Sequence, residues 1–316
     1  MKKSIFIASV ICISLYACKK DKIETPPAAN IETQWESSPA APSVRAIMEA
    51  AAPEMVTKPI TVSTGGIIES DSISIFIPPS AFTLENGSPY EGSAIVKMVT
   101  IRNIDDMLRS RVTTVADNGE LLLSSGMFKM EAFDTLGTNK LKLKTSVVIT
   151  FPRAANNNEF FYDTKPAGRD NKAEWEKWDS VGVKRGNNNT SVTGNIKLFT
   201  YCNLDRFMNE TPLTDITIKT PAGFTNVNTE CFVRYTGEAS AAYIPSNFSL
   251  KAFSTKSAYY KVVQGRSMKV ICYAKKDSKF YYQIVNIASI SADHQETIST
   301  MIETTESGLQ AIIDTF

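Results

Sequence analysis

The chain has 316 residues, with 34 basic and 33 acidic side chains and a hydrophobic fraction of 43%. This length and ordinary composition predict about two domains, and they exclude a collagen, a coiled coil and a chain disordered throughout. The near-balance of charge gives no electrostatic basis for nucleic-acid binding, so we expect no nucleic-acid partner.

The N-terminus has the pattern of an export signal. Lys2 and Lys3 precede an uncharged apolar stretch, residues 4–17. A transmembrane helix needs about 20 residues, so this stretch is too short to span a bilayer. It predicts a signal peptide over residues 1–17.

The signal ends in Leu15-Tyr16-Ala17-Cys18, followed by the polar run Lys19-Lys20-Asp21-Lys22. This order resembles the bacterial lipobox, which implies that Cys18 is acylated and anchors the chain to a membrane. The alternative is an ordinary signal cleaved before an unmodified Cys18. Position 19 is Lys, whereas Asp there would resemble the inner-membrane retention signal of enteric bacteria, and this difference favours the outer membrane, periplasmic or surface-facing. The charged run after Cys18 resembles lipoproteins of Bacteroidetes.

Residues 18–59 are rich in proline and small polar residues. Such a composition buries too little apolar surface to offset the entropy of ordering, so it predicts a disordered tether. One short helix is expected at residues 43–52, where apolar residues recur at helical spacing.

From residue 60 the apolar period changes to two. Alternating apolar positions with turn residues between them predict half-buried strands: Ile73, Ile75 and Ile77; Phe128, Met130 and Ala132; Val147, Ile149 and Phe151. We therefore expect an antiparallel β-sandwich over residues 60–152.

A resemblance lies in the same region. Gly65-Gly66, the run Ile-Phe-Ile-Pro-Pro-Ser-Ala-Phe at 75–82, Asn86-Gly87 and Gly92 are similar to the start of a ZU-type β-sandwich domain of netrin receptors and ankyrins. Ser80 and Phe82 stand where that family has Gly and Leu. The resemblance implies a fold and an assembly role, without catalytic residues.

Residues 153–210 are rich in Asn and aromatic residues and are expected to form a long connection with short strands. Tyr162, Trp175 and Trp178 are the one dense set of candidate ligand-binding aromatics, suited to stacking on a sugar. Burial in a core is the alternative, because aromatics fill cores more often than they recognise ligands.

Residues 211–316 predict a second β-rich domain ending in a helix. Leu309, Ile312, Ile313 and Phe316 recur at helical spacing, and Ser307 with Gln310 can form a capping box. The expected class is therefore all-β: two β-sandwich-like domains with a short C-terminal helix.

Three cysteines follow Cys18, namely Cys202, Cys231 and Cys272. Three is odd, so at most one disulfide can form, and the spacings match no zinc pattern. Cys231 and Cys272 lie mid-strand among apolar residues, which favours an interpretation as small buried hydrophobic residues. The pairing of the three stays open.

No constellation for catalysis is apparent. His294 is the one histidine, and its neighbours Asp293 and Glu296 fit a solvated turn better than a metal site. Asp105-Asp106 fits a charged loop better than a pair of opposed catalytic acids. We expect no catalytic site, no metal and no cofactor.

Three short motifs resemble the Asp-Ser/Thr-apolar site of O-glycosylation in exported Bacteroidetes proteins, which makes Ser72, Thr135 and Ser180 candidate modification sites. Ordinary turn composition is the alternative.

These features favour a non-enzymatic outer-membrane lipoprotein that binds an envelope protein or glycan. The alternative is a carbohydrate-binding accessory lipoprotein that uses exposed aromatics, and a hydrolase with an unfamiliar acid pair is a third hypothesis.

Overall fold

The computed structural model describes residues 34–152, 157–163, 175–178, 184–186, 191–258 and 260–316. Strands predominate, and three short helices accompany them: α1 (Arg45–Ala50), α2 (Ile104–Ser110) and α3 (Glu306–Thr315). The prediction of an all-β fold with a short C-terminal helix is confirmed. The alternating isoleucines of residues 73–77 are all buried, as period-two strands require.

Thirteen strands are described between residues 56 and 207: β1 (Val56–Thr61), β2 (Gly66–Ser70), β3 (Ile73–Ile77), β4 (Phe82–Thr83), β5 (Ser93–Ile101), β6 (Leu122–Phe133), β7 (Lys142–Leu143), β8 (Val147–Pro152), β9 (Glu159–Asp163), β10 (Trp175–Lys177), β11 (Lys184–Arg185), β12 (Ser191–Ile196) and β13 (Tyr201–Phe207). Sheet 1 has the order β11-β12-β8-β3-β2, and sheet 2 has the order β1-β5-β6-β13-β9-β10. Both are antiparallel throughout, and β4 pairs with β7 in a separate ribbon.

Eleven strands are described in the later residues: β14 (Leu213–Thr214), β15 (Ile216–Lys219), β16 (Thr229–Tyr235), β17 (Ala242–Tyr243), β18 (Ser246–Asn247), β19 (Ala252–Ser254), β20 (Val262–Val263), β21 (Met268–Lys276), β22 (Lys279–Ile287), β23 (His294–Thr297) and β24 (Ile302–Thr304). Sheet 3 has the order β17-β16-β21-β22-β24, and sheet 4 has the order β18-β19-β15-β23, with β15 and β23 parallel. β14 and β20 form a ribbon.

Three apolar cores separate these four sheets. The first lies between sheets 1 and 2, and the third lies between sheets 3 and 4. The middle core contains all three helices, the outer face of sheet 2 and the outer face of sheet 3. Sheet 3 is therefore covered on both faces, which explains why β16 and β21 are buried almost without alternation.

The segment expected to be a connection contributes strands to the first sheet pair. Sheet 2 includes β9, β10 and β13, and sheet 1 includes β11 and β12, all from residues 153–210. The first sheet pair thus extends to Phe207 rather than ending at residue 152. Short, interrupted strands carry too few alternating positions for the period to show in the sequence.

Part of the expected tether is packed. Residues 34–59 include α1 and the edge strand β1, and Val44 and Met48 are fully buried in the middle core. Trp35 contacts the Phe253 ring, with centroids 5.4 Å apart. A few buried side chains hold this segment in place. Because they form no continuous apolar pattern, the proline-rich sequence did not predict the packing.

One glycine of the predicted turns is required by geometry. Gly65 has φ +68°, and a Cβ atom there would lie 2.2 Å from the carbonyl oxygen of Ile77. Only glycine fits such a close approach of two backbone segments.

Candidate functional site

Two of the three predicted aromatics meet beside β10, which is an edge strand among the described residues, and both are half-buried, with Trp178 packed against the first core. Tyr162 lies on β9, and Trp178 follows β10, the edge strand of sheet 2. Their ring centroids are 5.0 Å apart at an interplanar angle of 52°. The amide of Trp178 donates to the carbonyl of Phe160 at 2.7 Å, which fixes the backbone that carries the ring. We call Tyr162, Trp178 and the neighbouring Glu176 the aromatic edge.

Trp175 does not belong to this surface. It is fully buried in the middle core, and its Nε1 donates to the carbonyl of Thr113 at 2.5 Å. Successive strand residues point to opposite faces, so a side chain three positions before Trp178 faces the other side of the sheet. The prediction that Trp175 belongs to a ligand-binding surface is therefore wrong. Trp175 is a core residue.

A carboxylate completes the aromatic edge. Tyr162 and Glu176 are cross-strand partners, and the tyrosine hydroxyl donates to Glu176 Oε2 at 3.0 Å. Partial burial, together with the nearby carboxylate, raises the pKa of Tyr162, so the phenol stays a donor. Two ring faces beside a hydrogen-bonding carboxylate can stack on a sugar and accept from its hydroxyls. This arrangement is compatible with the binding of a sugar.

A second surface lies on the outer face of sheet 1. Ile67 and Phe76 are directly opposite on β2 and β3, 45% and 44% exposed, and Val148 continues the same row on β8. The next row on that face is polar, with Glu69, Ser74 and Thr150. We call Ile67, Phe76 and Val148 the apolar row. The sequence contains one sign of this row. Phe76 occupies the solvent-facing positions of residues 72–76 together with Ser72 and Ser74, where a polar residue is expected.

An open cavity of about 230 Å³ lies between the 119–121 turn and the ribbon of β14 and β20. Its walls combine apolar side chains with Glu120, Glu210 and Lys261. This volume is below the 300–1,000 Å³ or so of typical small-molecule sites. The sequence does not predict this cavity, because its walls come from segments that are distant in the chain.

Two buried charged side chains, Glu230 and Arg111, form a network with Arg45 and two tyrosines beside the middle core. Glu230 Oε1 lies 3.2 Å from Arg45 Nε and 3.2 Å from Arg111 Nη2, and Tyr273 donates to Oε2 at 3.0 Å. The Arg111 guanidinium also lies over the Tyr243 ring, 4.6 Å from its centroid. One carboxylate thus serves two guanidinium groups in a part of the molecule with little access to solvent, which suits a structural role.

The polar groups considered for catalysis are dispersed. His294 Nε2 lies 3.4 Å from Glu296 Oε2, and Asp293 pairs with Lys256 at 3.4 Å. Asp105 and Asp106 open α2 rather than lying in a loop, and Asp105 binds Arg109 one helical turn later. Within the described ranges, no cluster of three or more metal-ligating side chains occurs.

The candidate modification sites differ in their surroundings. Ser72 is exposed at the β2–β3 turn, with φ +67°. The Thr135 hydroxyl donates to the carbonyl of Ser93 at 2.7 Å, a bond that a glycan on that oxygen would remove. Cys18 and Ser180 lie outside the described residues.

In the part of the chain that the structure describes, no helix has both the length and the apolar character needed to cross a bilayer. Comparison with known proteins gave no matching family model and no similar curated protein.

Proposed function

We propose that this protein is a non-catalytic outer-membrane lipoprotein that binds another envelope protein through the apolar row. The observation that carries the binding role is the exposure of Ile67 and Phe76 opposite each other, with Val148 beside them, next to the polar row of Glu69, Ser74 and Thr150. An apolar centre with a polar rim is the usual anatomy of a protein–protein contact. Among the described residues β2 is an edge strand of sheet 1, the kind of strand to which a partner chain can pair.

The lipobox-like residues before Cys18 support the anchor. Residues 34–59 pack on the folded unit, so they are not available for the tether that the composition of residues 18–59 predicts.

The anchor is tested by Cys18→Ser, with Cys12→Ser in the apolar signal core as the matched control. We expect intact-mass analysis of the membrane fraction to show acylated protein lacking residues 1–17 for the wild type and for C12S. C18S should remain unprocessed or be released. An unmodified Cys18 in wild-type protein from membranes would contradict the anchor.

The binding role is tested by Phe76→Ser in affinity capture from solubilised envelopes. We expect a partner that the wild type retains to be lost, with at least a tenfold weaker affinity, because the substitution interrupts the apolar row. Leu136→Ser is the control, since Leu136 is 83% exposed at a hairpin of the same sheet pair. Equal capture by F76S and L136S would contradict this role.

A second candidate function is carbohydrate binding at the aromatic edge, favoured by the 5.0 Å ring pair beside Glu176. Glycan-array binding that is lost in Trp178→Ala would support it. Phe248→Ala is the control, because Phe248 is an exposed aromatic (47%) in the second sheet pair. Unchanged glycan binding by W178A would exclude the aromatic edge.

A further inference from the structure

Two cysteines face each other inside the second sheet pair. Cys231 on β16 and Cys272 on β21 are register partners, and their Sγ atoms are 3.0 Å apart. Both are fully buried in the core between sheets 3 and 4. They are 41 residues apart in the chain, and no local pattern indicates that they meet.

The backbone geometry at this pair fits a covalent bond. The carbonyl of Cys231 accepts from the amide of Ile244 at 2.8 Å, beside β17, so the peptide groups of Cys231 point away from β21. Cys231 and Cys272 therefore form a non-hydrogen-bonded pair, in which the Cα atoms are about 4.5 Å apart and the side chains are closest. That separation lies within the 4.4–6.8 Å or so that a disulfide spans.

The third cysteine cannot compete for either partner. Cys202 is buried in the core between sheets 1 and 2, where its thiol lies 3.9 Å from the carbonyl of Thr200. The middle core separates it from the other two. The folded chain thus selects one pairing out of three.

We propose that Cys231 and Cys272 form a disulfide in the mature protein. The two thiols lose two protons and two electrons as the S–S bond forms, and the disulfide of an exported thiol–disulfide oxidant is reduced to its dithiol. This inference rests on the export assumed in the proposed function, because disulfides persist in oxidising compartments. The buried position requires the bond to form before sheets 3 and 4 close over it.

The bond would strengthen the centre of the molecule. It joins β16 to β21 one rung from Glu230 and Tyr273, which are also register partners. It closes a loop of about 40 residues, and a loop of that length reduces the unfolding equilibrium constant on the order of a hundredfold or more. The charge network at Glu230 would then be held by a strand pair that cannot separate.

The test uses full-length protein from its own membranes, alkylated during lysis and again after denaturation without reductant. We expect one alkylated thiol, Cys202, and a linked peptide pair that contains Cys231 and Cys272. Prior reduction should raise the count to three. Three alkylated thiols without reduction would overturn the proposal. The same mass spectrum reports loss of residues 1–17 and acylation, so failed export is distinguished from a missing disulfide.

A second measurement compares unfolding with and without reductant. The wild type and Cys202→Ala should unfold at lower denaturant once reduced. The double variant C231A/C272A should be insensitive to reductant. Equal sensitivity of all three proteins, or none in the wild type, would also overturn the disulfide.

Discussion

The carboxylate of Glu230 binds two guanidinium groups from distant parts of the chain. Arg45 belongs to α1, and Arg111 follows α2 in the left-handed conformation, with φ +51°. Glu230 itself lies on β16 of sheet 3. One buried side chain therefore ties the N-terminal segment, the first sheet pair and the second sheet pair together.

Glu230→Gln should destabilise the protein by about 3–5 kcal/mol, because it leaves buried guanidinium charge without its counter-ion. Glu238→Gln is the control. Glu238 pairs with Arg266 in a part-exposed position, and such pairs contribute about 0–1 kcal/mol. Urea unfolding followed by tryptophan fluorescence measures both. Similar losses for the two variants would contradict the assigned role of the network.

Asp205 should make the protein less stable as the pH rises from about 4 to about 8. Burial raises the pKa of Asp205 to about 8. In the unfolded chain an aspartate titrates near pH 4, so its contribution is fully present below about pH 4 and is lost as the pH rises towards about 8. Asp205→Asn should flatten this decline, seen as a smaller fall in the unfolding midpoint between pH 5 and pH 8.

Asp134→Asn is the control for this measurement. A hydrogen bond from the backbone amide of Thr138 holds the pKa of Asp134 below its usual range, so this group is ionised across the same window. Its replacement should change stability by an amount that does not vary between pH 5 and pH 8. A wild-type midpoint that is as flat as that of D205N would contradict the effect assigned to Asp205.

At the scale of elements, the prediction of α3 was correct but the prediction of its N-cap was wrong. The helix and its buried Leu309, Ile313 and Phe316 follow the predicted spacing. The N-cap, however, is Thr305, whose side chain accepts from the amide of Gly308 at 3.0 Å. The helix begins two residues earlier than the Ser307 capping box implied, because the cap depends on backbone angles that apolar spacing does not define.

Thr305→Ala should therefore cost about 1 kcal/mol, since it leaves a helix N–H without its acceptor. Ser307→Ala, at the position first expected to be the cap, should change stability by less than about 0.5 kcal/mol. Thermal unfolding of the two variants measures the difference. A larger loss in S307A than in T305A would contradict the observed cap.

At the scale of the whole molecule, the packed N-terminal segment makes a direct prediction. A chain beginning at residue 53 lacks Val44 and Met48, each fully buried, and also Arg45. Burial of two such side chains contributes about 3–6 kcal/mol, so this chain should unfold at lower urea than one beginning at residue 34. Equal midpoints for the two chains would mean that residues 34–52 are a tether after all.

Elements with a local periodic pattern could be predicted from the sequence. Contacts between segments that are distant in the chain could not. The alternating strands and the C-terminal helix were accessible because each is a periodic pattern. The apolar row, the Cys231–Cys272 contact and the inward orientation of Trp175 depend on strand register, which a single sequence does not define. Short strands were expected in residues 153–210, but their membership of sheets 1 and 2 depends on pairing with distant strands.

The docking site of α1 imposes an order on folding. Arg45 binds Glu230, which follows 185 residues later, and Met48 lies 4.0 Å from Gln310, which follows 262 residues later. Contacts so distant in sequence slow the final closure of a fold. With the proposed export, the chain folds only after it has crossed the membrane, so α1 has no docking site until the C-terminal residues have followed it into the same compartment.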